Sequence, residues 1–147
     1  MLRPFLSIIF CLVLMGCGPK FGDDYELDAN TFTAEKFALI EQRTGITIPA
    51  DSHGINMFYE GSQIDPAFVA KIEIPAASQE SLAKQIDQIP IGDVHVSNPL
   101  SEKTAWWKPS KAATKSERQY MLNSGYVHAL LCNEDGRWIL YLEWASV

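Results

Sequence analysis

Cysteine is nearly absent from this chain of 147 residues, and the three present, Cys11, Cys17 and Cys132, stand in no CxxC spacing. A thiolate metal centre or a dithiol redox pair therefore has no basis in the sequence. Histidine is as sparse: His53, His95 and His128 are scattered, with no HxxxH or HExxH pairing to hold a metal ion. A GxSxG nucleophile elbow, a phosphate-cradling Walker loop and a dinucleotide fingerprint are all missing. Positive charge is in short supply too, 12 basic residues against 18 acidic ones, which argues against nucleic acid, whose phosphates need a basic face. Finally, no apolar run reaches the roughly 20 residues that a helix needs to cross a bilayer. These absences leave no cofactor to expect and little sign of an enzyme.

What is present begins at the amino terminus. One positive charge, Arg3, precedes the apolar run Phe5 to Met15, and Leu14-Met15-Gly16-Cys17 closes it. A charged start, a short apolar middle and small residues at the end form a secretory signal. The last four residues resemble the bacterial lipobox, in which a Leu three positions before the Cys and a small residue beside it direct lipid transfer to the thiol. Met15 departs from that pattern, since small or β-branched residues are commoner there. The resemblance implies that residues 1–16 are removed and that Cys17 becomes the first mature residue, carrying a diacylglycerol and an acylated amino group. Two or three acyl chains hold a protein stably where one does not, at ~0.8 kcal/mol per buried methylene. The membrane, reached through this anchor, is the first expected partner. By analogy with sorting in enterobacteria-like cells, Gly18 after the lipidated Cys implies the outer membrane, with the domain facing the periplasm. In a host with one membrane it would face outward.

Removing residues 1–16 from 147 leaves 131, and losing Arg3 takes the net charge from −6 to −7. That length is enough for one domain with a real core. With Cys11 removed and Cys17 acylated, Cys132 is the one thiol left, so no internal disulfide is available and packing alone must hold the domain. Gly18 to Asn30 is acidic and broken by Gly and Pro, which reads as a tether over 17–30. About a dozen such residues would set the domain roughly 20 Å from the lipid. A single domain is expected over 31–147.

Within that domain the spacing of apolar residues predicts a helix over Thr33 to Thr44, with Thr33 as N-cap, Phe32 stapled to Phe37, and Gly45 as terminator. Ile55 to Glu60 and Ala67 to Ile74 read as two strands of a hairpin, the second alternating Phe68, Ala70, Ile72 and Ile74 with Val69, Lys71 and Glu73. Leu82, Ile86 and Ile89 mark one face of a second helix, capped by Ser78 and stopped at Pro90. From Ile91 to about Ser116 no period holds, although Asp93 to Val96 could make a brief strand; Ser116 to Leu122 fits a short helix or a strand. Tyr126 to Cys132 and Arg137 to Trp144 form a second hairpin around a bulged turn at Gly136, the last strand apolar on both faces and so central. The expected fold is α+β: a mostly antiparallel sheet of about four strands, from two hairpins, with two helices packed on one face. Asp65-Pro66, the strand ending at Pro75, Trp106-Trp107 and Gly136 with its strand together resemble small uncharacterised bacterial lipoproteins, a likeness that names no family and brings no function.

Two functions of different class remain. In the first, the irregular segment carries the site. Trp106 and Trp107, with Lys108 and Lys111 beside them, cannot easily both turn inward, so at least one is expected to form an aromatic platform for a glycan, a peptide or an envelope protein. The chain would then be a non-catalytic, membrane-tethered binding or interaction module, an inhibitor or immunity-type lipoprotein being one version. In the second, Cys132 serves with His95 or His53 as the nucleophile of a small envelope hydrolase. His128 shares a strand face with Cys132 but stands about 13 Å away, too far for a thiol–imidazole pair. Free Cys at the end of an apolar run is more often packing than chemistry. Isolated carboxylates, Asp65, Glu73 and Glu143, would have to pair in space for glycosidase-type work, and Asp65 before Pro66 is better suited to a turn.

Overall fold

In the computed structural model the described residues are 22–62, 64–94, 99–110 and 113–147. Their elements run β1 (Tyr25–Asp28), α1 (Ala34–Thr44), β2 (His53–Glu60), β3 (Ala67–Ile74), a 3-10 turn (Ala76–Ser78), α2 (Gln79–Asp87), α3 (Leu100–Lys103), β4 (Thr114–Leu122), β5 (Gly125–Glu134) and β6 (Arg137–Ala145). All six strands join one antiparallel sheet in the order β1-β2-β3-β6-β5-β4. The α+β class stands, but the expectation of about four strands and two helices does not. Two strands and a third helix come from stretches whose sequence carries no clear period.

β1 lies inside the stretch expected to be tether, so the sheet starts before residue 31. Its four residues alternate half-buried Tyr25 and Leu27 with exposed Glu26 and Asp28. Tyr25 stacks on Tyr59 of β2 at 4.9 Å, and Leu27 packs on the core. Pairing with β2, rather than local propensity, makes this a strand. β4 was ambiguous for a different reason. Its side chains facing the helices are largely polar, and each is committed to a helix end: the Ser116 hydroxyl donates to Asp87, Arg118 Nε donates to the Ile89 carbonyl at 3.2 Å, and the Tyr120 hydroxyl donates to the Thr44 carbonyl at 2.7 Å. An edge strand docked by hydrogen bonds shows no alternating hydrophobic pattern to read.

The remaining elements follow their apolar spacing. Ile40 of α1 and Leu82, Ala83 and Ile86 of α2 pack against Met57, Phe68, Ala70, Ile72, Leu131, Leu140, Leu142 and Trp144, a single core on one face of the sheet. Phe32 and Phe37 meet at 4.8 Å between ring centres, forming the staple, whereas Thr33 and Ser78 make no side-chain cap bond. Gly45 ends α1 in the left-handed region, φ 70°, its N–H bonded to the Glu41 carbonyl. β6 is central, flanked by β3 and β5. On it Trp138, Leu140, Leu142 and Trp144 face the helices, while Ile139, Tyr141 and Glu143 face the other way.

The β5–β6 turn is tighter than the bulged loop expected. Glu134 pairs with Arg137, leaving Asp135 and Gly136 as the loop, with φ 52° and 83°. Two positive φ values in a two-residue loop are the type I′ geometry, which matches the right-handed twist of the strands. A Cβ on Gly136 would meet nothing within 4 Å, so any cost of adding one is conformational. Gly136→Ala is therefore expected to lower stability by about 1 kcal/mol without altering the cooperativity of unfolding, as read from the midpoint and slope of a urea titration.

Candidate functional site

The second face of the sheet is where the irregular segment comes to rest. Residues 99–110 cross it as a strap, and Leu100, Trp106 and Trp107 pack on Ala67, Val69 and Phe58, with Trp107 also reaching Tyr141 and its neighbours Leu130 and Ile139. Trp107 meets the Tyr141 ring edge-on at 5.1 Å and the His128 ring at 6.0 Å. Both tryptophans are thus half-buried, and neither stands out as a free aromatic platform. An aromatic pair can turn inward together here because the sheet offers a second apolar surface, unused by the helices. Lys108 is exposed; Lys111 lies outside the described residues, as do Cys17 and His95.

One polar contact pins the strap down. Glu143, 1% exposed, accepts hydrogen bonds from the Ser101 N–H at 3.0 Å and from the Ser101 hydroxyl at 2.6 Å. A carboxylate taken out of water needs such partners for both oxygens, and bonds to charged groups are the strong ones. Thr104 Oγ1 donates to the Leu100 carbonyl at 2.9 Å, and the Trp107 N–H bonds the Thr104 carbonyl at 3.1 Å, so the turn that presents Trp107 grows directly from the pinned residue.

Between this strap and the β4–β5 edge of the sheet lies a cleft of about 710 Å³. Its floor is built by strand alternation: Glu117 and Gln119 on β4, Tyr126 and His128 on β5, and Glu143 on β6 share the face, with Gln119 opposite His128 and His128 opposite Glu143. Trp107 forms a wall, and Lys103 and Lys108 stand at the rim. His128 Nε2 lies 2.7 Å from Glu117 Oε1, which orients the imidazole. Tyr126 is 4% exposed, and its hydroxyl has no hydrogen-bond partner among the described residues. Burial first, and then the Glu143 and Glu117 carboxylates, push the Tyr126 phenol up to about 12, so it remains a protonated donor at neutral pH.

Cys132 sits on the same face but outside the cleft, fully buried among Leu130, Ile139 and Tyr141. Burial pushes its thiol up, and the Glu134 carboxylate at 3.9 Å adds to the effect. A nucleophilic thiol needs the opposite environment. His53 begins β2, three strands across from β5 in the sheet order, and reaches no contact with the thiol. Beyond Cys132 a second polar group closes the face: Lys71 Nζ is 3.0 Å from Glu134 Oε2, and the Tyr141 hydroxyl donates to Glu134 Oε1 at 2.6 Å. Burial acts to raise the Glu134 carboxyl, but the hydrogen bonds from Tyr141, Lys71 and Cys132 together with the Lys71 charge outweigh it and hold the group below its usual range.

The carboxylates considered for paired catalysis are not brought together. Asp65 lies in the β2–β3 turn with its N–H bonded to Ser62 Oγ, Glu73 pairs with Arg137 at 3.4 Å, and Glu143 is held by Ser101. Among the described residues no three His, Cys, Asp or Glu side chains are grouped to hold a metal ion. No helix among them is long and apolar enough to cross a membrane. Ser101, Glu117, Gln119 and Tyr126 were not anticipated as site residues. The signal for them was period two: Glu117 and Gln119, then Tyr126 and His128, place polar groups on one face of adjacent strands. Compared with known proteins, the chain matches no family model, no curated protein and no solved structure.

Two outcomes follow from this geometry. Ser101→Ala strands a buried carboxylate oxygen, so a loss of about 1–3 kcal/mol is expected, together with faster amide exchange over residues 99–109; exchange unchanged there would mean that Glu143 does not pin the strap. Cys132 should resist a thiol reagent at pH 7 in the folded protein and react at once in 8 M urea, whereas rapid native labelling would restore it as a nucleophile.

Proposed function

We propose that this chain is a bacterial envelope lipoprotein, anchored through lipid on Cys17 and projecting a non-catalytic binding module from the outer membrane into the periplasm. The anchoring half rests on Leu14-Met15-Gly16-Cys17 behind a short apolar run. The binding half rests on one observation, the preformed cleft beneath the strap. Its volume, about 710 Å³, falls within the range of roughly 300–1,000 Å³ typical of ligand sites. It also combines an aromatic wall, Trp107, with a few convergent polar groups, Tyr126, His128 and Glu117. Trp107 and Lys108 keep a place in this site, as wall and rim; Trp106 supports it from below, packed on the sheet. The buried, proton-retaining thiol of Cys132 favours this reading over a cysteine hydrolase.

The test uses the full chain expressed in bacteria. Intact mass after membrane extraction should show residue 17 acylated and the preceding 16 residues gone, and Cys17→Ala should leave the membrane pellet. A photo-crosslinking residue replacing exposed Gln119 should trap a discrete envelope component, and Trp107→Ala should abolish that trapping. An unmodified terminus would remove the anchor, and crosslinks that ignore Trp107→Ala would remove the cleft.

A further inference from the structure

Taking the cleft as the ligand site, as above, we propose that what it holds is a neutral saccharide, a short run of pyranose rings. A pyranose has a patch of C–H bonds on its face and a rim of hydroxyls, each of which both donates and accepts. It is recognised by an aromatic wall beside an alternating set of donors and acceptors, and this cleft has both. Trp107 supplies the wall, and its orientation is not free, because the edge of Tyr141 and the ring of His128 hold it at 5.1 and 6.0 Å. A fixed aromatic ring gives contact area with little loss of side-chain entropy on binding.

The polar floor has the right mixture. Tyr126 lines the cleft with a hydroxyl that stays protonated and can both donate and accept. Gln119 offers a donor and an acceptor from an exposed position on β4. Glu117 spends one oxygen on His128 and keeps the other free among the described contacts. The register sets the spacing: Gln119, His128 and Glu143 form one row across three strands, with steps of about 4.8 Å, so the row runs for about 10 Å, the length of two sugar rings.

Charge selects against the other small-ligand classes. Glu117 and Glu143 in the floor disfavour an anion, while Lys103 and Lys108 at the rim disfavour a cation. A purely apolar ligand would bury Tyr126, Gln119 and Glu117 without partners. A neutral, hydroxyl-rich ligand meets neither obstacle.

The test is nuclear magnetic resonance of the lipidated full chain in micelles of a detergent without a sugar headgroup. The Trp107 indole and Gln119 side-chain amide signals are followed against chitotetraose, cellotetraose and maltotetraose, and in parallel against an uncharged tetrapeptide of alanine and glycine. Saturable shifts of both signals with at least one tetrasaccharide are expected. Tyr126→Phe should weaken that binding about tenfold and Gln119→Ala about fivefold, with the remaining spectrum unchanged in each. Shifts with the peptide and none with any sugar would overturn the saccharide assignment while leaving the cleft as a binding site. Silence toward both would overturn the saccharide and the cleft together. Sugar binding indifferent to Tyr126→Phe and Gln119→Ala would place it elsewhere and also defeat the proposal.

Discussion

The hydrogen bonds from Ser101 to Glu143 are the constraint on which the second half of this molecule depends. The two residues are 42 positions apart in the chain, and their contact is buried. Without it, a buried carboxylate on the central strand β6 would have neither oxygen paired, and the strap over residues 99–110 would lose the polar contact at its start, keeping its side-chain packing and the Ser110 N–H beside Cys132 at its end. With it, α3 begins at a defined point on the sheet, Leu100, Trp106 and Trp107 fall onto Ala67, Val69 and Tyr141, and a cleft opens beside them. A single carboxylate therefore decides both what covers the sheet and where the covering stops.

The sheet itself is a sandwich filling with two unlike covers. On one side α1 and α2 lay apolar faces on Ile72, Leu140 and Trp144 in the ordinary manner of an α+β domain. On the other a strap with only one turn of helix does the same work using two indole rings. This explains why β6 is buried on both faces although the helices described pack on one, and why Val69, Ile139 and Tyr141 are as inaccessible as the residues beneath those helices.

The sequence was legible where burial is apolar. α1, α2, β2, β3, β5 and β6 announce themselves by spacing, since Phe68, Ala70 and Ile72, or Leu140, Leu142 and Trp144, can only alternate in a strand. It was opaque where elements are held by polar contacts with distant residues. β4 turns Ser116, Arg118 and Tyr120 toward helix ends, and β1 hides a short apolar alternation of Tyr25 and Leu27 among acids. The site fell between these cases. Trp107 stands out in the sequence, but its orientation depends on Tyr141 and His128, and Tyr126 gains its place in the cleft from strand neighbours that bring Glu143 and Glu117 near it. No local pattern encodes a meeting of three strands.

β1 is a four-residue edge strand and the first element among the described residues. Any traction applied from that end reaches the globule through its pairing with β2 before it can reach the helices or β6. The strand thus works as a mechanical fuse. If it peels away, residues 22–33 are released and the amino-terminal segment gains about 40 Å of reach at an extended rise of roughly 3.4 Å per residue, at the cost of lifting Leu27 and Phe32 off the core.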